Sequence, residues 1–139
     1  MAAFQAYNKI LVCDDDIRNI QAGNSVIGFE FKAQYPSYRG TYVSCIELFE
    51  IEIDGETVPE KSIYFQLNGK QFLLSQMKDL YAEYWFIMEK AVLRVMQDGG
   101  ISVGNHNVTL KIRHRIPYTG YFGQYMVLDG ACTKTLRAI

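Results

Sequence analysis

Few side chains in this sequence could carry acid–base, nucleophilic or metal chemistry. The chain has two histidines, His106 and His114, and three cysteines, Cys13, Cys45 and Cys132. The cysteines are odd in number and far apart, so no pair has the spacing of a metal-binding or redox motif, and we expect free thiols. No nucleophile elbow, phosphate loop, zinc pattern or dinucleotide fingerprint is present. The residues therefore do not by themselves predict an enzyme, and no catalytic residue is assigned.

Both histidines fall on one predicted strand, residues 106–116. His106 begins this strand just after a turn glycine, where a capping or packing role is favoured. His114 lies at the far end of the strand's apolar face, directly before a loop rich in aromatic residues. Two interpretations of His114 stay open: a hydrogen-bonded histidine of the core, or a side chain that lines a cleft beside the loop.

Three adjacent carboxylates, Asp14, Asp15 and Asp16, suggest a metal site at first sight. Successive residues of an extended chain point in opposite directions, and the glycine and glutamate offsets of a calcium loop are missing. A solvated turn is therefore favoured, and we expect no metal or other cofactor in this chain.

Two loops rich in aromatic residues are the clearest functional signal. Residues 117–125 follow the predicted strand at 106–116, and residues 36–40 follow another at 25–35. Tyr and Arg are enriched at the energetic centres of protein interfaces, and a tyrosine ring also stacks well on a sugar or a flavonoid. The competing interpretation is that part of this set only packs the ends of the core. We predict a surface that faces a partner or substrate, formed by Tyr38, Arg39, His114, Tyr118, Tyr121 and Phe122.

Alternation of apolar and polar residues predicts the strands that position these loops. The strand at 106–116 is the clearest, and Pro117 ends it because proline cannot donate to the ladder. Its predicted buried face is Val108, Leu110, Ile112, His114 and Ile116. Other strands are predicted at residues 9–13, 25–35, 42–53, 62–67, 70–74, 125–128 and 131–136. A slip in the alternation near Leu48 predicts a β-bulge.

Hairpin turns are predicted at Asp54-Gly55, Asn68-Gly69 and Asp129-Gly130. The secondary structure of residues 75–96 is ambiguous from the sequence. The spacing of their apolar residues fits a helix, but residues 91–95 also alternate as in a strand. The many hairpins favour a short helical turn at 76–80 followed by a strand. The chain is thus predicted to be a single all-β domain, residues 1–139, an antiparallel β-sandwich of about eight strands with one short helical turn.

Composition narrows the possible partners. The chain has 139 residues, a net charge of −1 and 49 % hydrophobic residues, which predicts a folded domain and gives no electrostatic reason for nucleic-acid binding. The basic stripe Lys111, Arg113 and Arg115 and the acidic group Glu47, Glu50 and Glu52 are each favoured as solvated strand faces. The N-terminus lacks the pattern of a signal peptide and no apolar run is long enough to span a membrane, so we expect a cytoplasmic protein.

Several motifs are distributed along most of the chain, and the most distinctive is the turn Tyr35-Pro36-Ser37-Tyr38-Arg39-Gly40. The others are Phe29-Glu30-Phe31, Val58-Pro59, Gly69-Lys70-Gln71-Phe72, Lys90-Ala91-Val92-Leu93-Arg94-Val95, Gly104-Asn105-His106-Asn107-Val108 and Arg115-Ile116-Pro117-Tyr118. Together these motifs resemble the small β subunit of bacterial C-glycoside deglycosylases, and the similarity runs from about Val26 to Leu136. The resemblance also favours a strand at residues 84–96.

The resemblance implies a division of labour. A separate oxidoreductase oxidises the sugar 3-hydroxyl of a C-glycoside, such as a flavonoid glycoside, to a ketone. The deglycosylase, a carbon–carbon lyase, then cleaves the bond between sugar and aglycone by acid–base elimination. The catalytic groups and a divalent metal, expected to be manganese, belong to a larger TIM-barrel α subunit. This chain would be its non-catalytic or assisting β subunit, with the 3-oxo-C-glycoside near the interface. The alternatives are a stand-alone carbohydrate- or flavonoid-binding sandwich and a self-sufficient enzyme that uses His114.

Overall fold

A computed structural model describes residues 6–116 and 123–139. In this part of the chain, two antiparallel sheets share one hydrophobic core and a small third sheet lies beside them. The larger sheet has the strand order β1 (Arg18–Ala22), β2 (Ser25–Gln34), β9 (Lys90–Met96), β6 (Ile63–Leu67) and β7 (Lys70–Leu73). The second has the order β11 (Met126–Ala138), β10 (Gly104–Ile116), β4 (Ile46–Ile53) and β5 (Glu56–Thr57). The third pairs β3 (Thr41–Tyr42) with β8 (Tyr84–Trp85).

The prediction of an all-β antiparallel sandwich is confirmed. Eleven strands occur among the described residues instead of about eight, because β3, β5 and β8 have only two residues each, too few for alternation to reveal. The helical segments are short 3-10 turns at Asn8–Ile10, Val43–Cys45, Glu60–Ser62 and Leu74–Asp79. No helix in the described ranges is long and apolar enough to cross a membrane.

Strand β10 has the predicted buried face, from Val108 to Ile116. It lies between β11 and β4. The predicted bulge in β4 is also confirmed, because Arg113 pairs with Leu48 while His114 pairs with Ile46, which leaves Glu47 as the extra residue.

Residues 75–96 form a 3-10 turn and then strands, as predicted. The turn ends at Asp79, and β9 buries Ala91, Leu93 and Val95 between its neighbours β2 and β6. The helical alternative for this segment is wrong. The hairpin turns at Asp54-Gly55 and Asn68-Gly69 are confirmed, and both residues of each turn have the positive φ that tight hairpin turns require.

The predicted strand at residues 9–13 is wrong. Asn8–Ile10 is a 3-10 turn, and only Val12 forms an isolated bridge, with Ala33 of β2. Leu11 and Val12 are apolar because they are fully buried in the core, not because they belong to an edge strand.

The predicted closing hairpin around Asp129-Gly130 is also wrong. Residues 126–138 form one strand, β11, that pairs with β10 without a break. Gly130 is a packing glycine, since a Cβ there would lie 2.8 Å from Asn8 Oδ1 and 3.2 Å from Ile112 Cγ2. Asp129 is an ion-pair residue, its carboxylate 2.8 Å from Nε of Arg113.

Candidate functional site

His114 lies in the core at the end of β10. Its side chain is 3 % exposed, and its Nδ1 lies 2.5 Å from the hydroxyl oxygen of Tyr35, which follows β2. Burial lowers the pKa of His114 from 6.5 to about 4, so the ring is neutral at pH 7. A neutral imidazole can accept a hydrogen bond from the Tyr35 hydroxyl at Nδ1. In the isolated chain this ring does not face solvent, and it joins the two sheets through a buried hydrogen bond.

A row of packed rings continues from this pair through the core. Tyr35 lies 5.7 Å from Trp85, ring centre to ring centre, and Trp85 lies 5.3 Å from Phe65. Trp85 is fully buried, and its indole Nε1 donates a hydrogen bond of 2.9 Å to the Glu89 carbonyl. The core therefore fixes both ends of the loop between β8 and β9.

Apolar side chains of this loop and of the third sheet form a surface, here called the aromatic patch: Tyr42, Tyr84, Phe86, Ile87 and Met88. Tyr84 is partly buried, and the other four are exposed. The ring centre of Tyr84 lies 5.0 Å from that of Tyr42 and 4.8 Å from that of Phe86. Phe86 is 58 % exposed and Met88 is 73 % exposed. The sequence favours a strand through residues 84–96, whereas the structure interrupts it with an exposed turn at residues 86–89.

Met88 also has an unusual backbone. The Glu89 N–H donates to the Phe86 carbonyl at 3.1 Å, which closes a turn, and Met88 within it has a φ of 73°. This region costs a residue with a side chain about 1–2 kcal/mol relative to the right-handed one. An apolar side chain held outward at such a position is a reason to suspect function.

The loop that carries Tyr38 and Arg39 lies against the aromatic patch. A Cβ at Gly40 would collide with the Trp85 carbonyl oxygen and would lie 2.7 Å from Tyr84 Cε2. Tyr38 is 47 % exposed, its ring centre 6.4 Å from that of Tyr7, and Arg39 is exposed as well. Gly40 thus brings the loop that carries Tyr38 and Arg39, two predicted surface residues, close to Tyr84 of the aromatic patch.

Tyr118, Tyr121 and Phe122 lie outside the described residues. At the border of that segment, Tyr125 is 52 % exposed and the Arg115 guanidinium carbon lies 5.9 Å from its ring centre. Arg115 also donates to Glu47 and to the Ser44 carbonyl, at 3.0 Å each. It therefore joins the bulge of β4 to the residue that precedes β11.

The basic stripe on β10 is a solvated face, as predicted. Lys111, Arg113 and Arg115 pair with Glu52, Asp129 and Glu47 at 2.7, 2.8 and 3.0 Å. These partly exposed ion pairs connect neighbouring strands, and each stabilises the sheet by only about 0–1 kcal/mol.

The capping role of His106 is confirmed. Its Nδ1 lies 2.6 Å from the Asp54 carboxylate, and its Nε2 lies 2.8 Å from the Ser102 carbonyl. The Asp54 carboxylate and the Ser102 carbonyl are both hydrogen-bond acceptors. Only the imidazolium form of His106 can donate to both of them, one from each ring nitrogen. The hydrogen bond that His106 donates to the Asp54 carboxylate accordingly raises the pKa of His106 above 6.5. The ring ties the β4–β5 turn to the start of β10.

The remaining candidates for chemistry lie apart. Asp14, Asp15 and Asp16 lie in the loop before β1, and Asp15 bonds Lys90 at 2.8 Å. No group of three or more His, Cys, Asp or Glu side chains in the described ranges is arranged to hold a metal ion. Cys13, Cys45 and Cys132 are free and buried, and burial raises the pKa of Cys13 to about 11.

The chain is thus a β-sandwich that holds His114 neutral in its core and presents exposed rings beside the loop of Tyr38 and Arg39. The family model described as "C-glycoside deglycosidase beta subunit" matches residues 7–118. The chain is similar to the C-glycoside deglycosidase beta subunit of Eubacterium cellulosolvens, 30 % identical over 114 residues, which cover 81 % of this chain and 75 % of that protein. The protein of that name from Microbacterium trichothecenolyticum is 30 % identical over 112 residues, covering 78 % of this chain and 82 % of the relative.

One from Arthrobacter globiformis is 29 % identical over 110 residues, 76 % of this chain and 81 % of the relative. The chain therefore belongs to the C-glycoside deglycosidase beta subunit family, and the resemblance read from its sequence is confirmed.

Proposed function

We propose that this chain is the non-catalytic, assisting β subunit of a heteromeric C-glycoside deglycosylase. Its partner would be a TIM-barrel α subunit that holds a divalent metal, expected to be manganese, and cleaves the carbon–carbon bond of 3-oxo-C-glycosides. The observation that carries the proposal is family membership, because the relatives are named as beta subunits of such an enzyme. The three buried free thiols support a cytoplasmic location.

The aromatic patch and the loop of Tyr38 and Arg39 are the surface that we assign to the α subunit. An apolar set of this kind reduces the solubility of a free chain unless a partner covers it. Tyr and Arg are also the residues that most often dominate binding energy at interfaces. Tyr118, Tyr121 and Phe122, in the segment after β10, are proposed to belong to the same surface.

The mouth of a TIM barrel is where its catalytic loops gather, so a sandwich seated there would exclude water from the reaction. In this role the β subunit supplies no reacting group. His114 and Tyr35 hold the base of the surface in place from within the core, since they join β10 to the chain segment that leads to Tyr38.

Co-expression with a family α subunit tests the proposal. The two chains should co-purify, and release of the aglycone from a 3-oxo-C-glycoside should require both. Arg39→Ala with Tyr121→Ala, and separately Phe86→Ala with Met88→Ala, should weaken assembly or activity by roughly 1–4 kcal/mol. Val103→Ala is the matched control, since Val103 is 79 % exposed and apolar but precedes β10 at its opposite end. Normal assembly and activity of both double variants would reject this surface.

The exposed rings also favour a second candidate function, a stand-alone carbohydrate- or flavonoid-binding module. The rings of Tyr42, Tyr84 and Phe86 are adjacent and could stack on a ligand ring. Calorimetry of the lone chain with a flavonoid C-glycoside separates the two candidates. Binding by the lone chain that Phe86→Ala abolishes would favour the module, while turnover by the lone chain that His114→Gln abolishes would favour a self-sufficient enzyme.

A further inference from the structure

Strand β11 leaves a long open hydrogen-bonding edge. The Ile17 N–H donates to the Arg137 carbonyl, and the Ile139 N–H donates to the Ile17 carbonyl, so odd-numbered residues of β11 direct these groups away from β10. The register between β10 and β11 does not shift, so the same parity holds along the whole strand. From residue 127 to residue 135, the outward N–H and C=O groups have no partner among the described residues.

The other outermost strands of the two main sheets are short, irregular or charged. Strand β1 has five residues and an irregular register at Ile20 and Gln21, β7 has four residues and begins with Lys70, and β5 has two. Short length, charge and bulges are the usual devices that prevent edge-to-edge association. Strand β11 has thirteen residues, no proline and no bulge. Its two charged residues within the open stretch, Asp129 and Lys134, are paired with Arg113 and Asp14.

We propose that the open edge of β11 pairs with the same edge of a second copy of this chain, antiparallel, around a two-fold axis at Ala131. Ile17 closes the edge at residue 137, so the open stretch runs from 127 to 135 and has Ala131 at its centre. Pairing that uses the whole stretch must place Ala131 opposite its own copy. This pairing goes beyond the proposed function and does not depend on it.

The side chains fit this register. A residue on a two-fold axis meets itself, and the small side chain of Ala131 permits that approach. Asp129 falls opposite Thr133 of the second copy, and Val127 falls opposite Thr135. Lys134 falls opposite Leu128 on the other face, so no like charges are directly opposed. The two four-stranded sheets would then form one continuous sheet across the dimer.

The full chain tests the proposal by light scattering across a concentration series. Wild type should reach twice the monomer mass at high concentration. Ala131→Pro removes an outward donor that the fold does not use, and Ala131→Lys places two like charges at the axis. Each should weaken dimerisation at least tenfold with an unchanged circular dichroism spectrum, whereas Ala131→Thr, which keeps the N–H and a short side chain, should stay dimeric.

Hydrogen exchange gives a second measurement. It uses only the wild-type chain, so unfolding of a variant cannot affect the result. In wild type, the odd-numbered amides from 127 to 135 should exchange slowly at high concentration and fast on dilution, while the even-numbered amides stay protected in both. A wild type that is monomeric at every concentration overturns the proposal. So does an Ala131→Lys chain that remains dimeric, or edge protection that appears only when the α subunit is added.

Discussion

The buried histidine should make the fold sensitive to acid in a window that can be stated in advance. In the unfolded chain His114 titrates near 6.5, whereas in the fold its pKa is about 4. Between these two values the unfolded state binds a proton that the folded state excludes. Stability that is present above pH 6.5 is therefore lost as the pH falls toward 4. The full separation corresponds to roughly 3 kcal/mol.

Between pH 7 and pH 5, the same two pKa values give a loss of roughly 2 kcal/mol from this residue alone. The variant His114→Leu lacks the titrating group. From pH 7 to pH 5, the free energy of unfolding of wild type should therefore decrease by roughly 2 kcal/mol more than that of the variant. Exposed carboxylates titrate in both proteins and cancel in the difference. Tyr35 loses a partner in the variant, but that cost is present at both pH values and also cancels.

Urea unfolding at pH 7 and pH 5, for wild type and His114→Leu, measures this difference. A nuclear magnetic resonance titration of the His114 ring in wild type measures the folded pKa directly. Parallel pH dependence of the two proteins, or a folded pKa near 6.5, would refute the reasoning and would mean that water reaches the ring.

The other predictions concern substitutions of His106, Gly40 and Met88. His106→Gln should lose stability relative to wild type below pH 6.5 and converge with it as the pH rises through the raised pKa of His106, because the imidazolium's bond to Asp54 is then lost. Unfolding curves at pH 6 and pH 9 test this, and a constant difference contradicts it. Gly40→Ala should cost about 1–3 kcal/mol, since the added Cβ meets the Trp85 carbonyl. Thermal melts measure this cost, and an unchanged melting temperature would show that the loop lies elsewhere. Met88→Gly should leave stability within about 1 kcal/mol of wild type, because relief of the positive φ offsets the entropy of glycine. Its affinity for the α subunit should nevertheless fall, and undiminished co-purification would exclude Met88 from the interface.

Much of the fold was predictable because strand alternation and tight turns depend on residues that are adjacent in sequence. The parity of β10 identified its buried face, including His114, and the slip near Leu48 located the bulge. Asp54 and Asn68 precede glycines in turns that need two residues of positive φ.

The errors came from contacts between residues far apart in sequence. The pair Asp129-Gly130 predicts a turn, but Gly130 is small because Asn8 approaches it from the other end of the chain. The apolar run within residues 9–13 predicts a strand, but Leu11 and Val12 are apolar because they are buried in the core.

The candidate site was only partly predictable for the same reason. The sequence pattern predicted that Tyr38 and Arg39 lie on a surface loop, and both side chains are exposed. No local pattern revealed that Gly40 brings that loop against Tyr84, or that the rings after β8 face outward. The partner of His114, Tyr35, lies 79 positions away, so parity could predict burial of the ring but not its hydrogen bond.

The bridge between Ile17 and Ala138 has a consequence for synthesis on the ribosome. It is a parallel bridge between fully or nearly fully buried residues, and it joins the segment before the first strand to the end of the last. Residue 138 must leave the exit tunnel before this bridge can form and before β11 can pair along its whole length with β10. Until then the nascent sandwich exposes the apolar residues that β11 covers, so completion of the fold waits for the last strand to emerge.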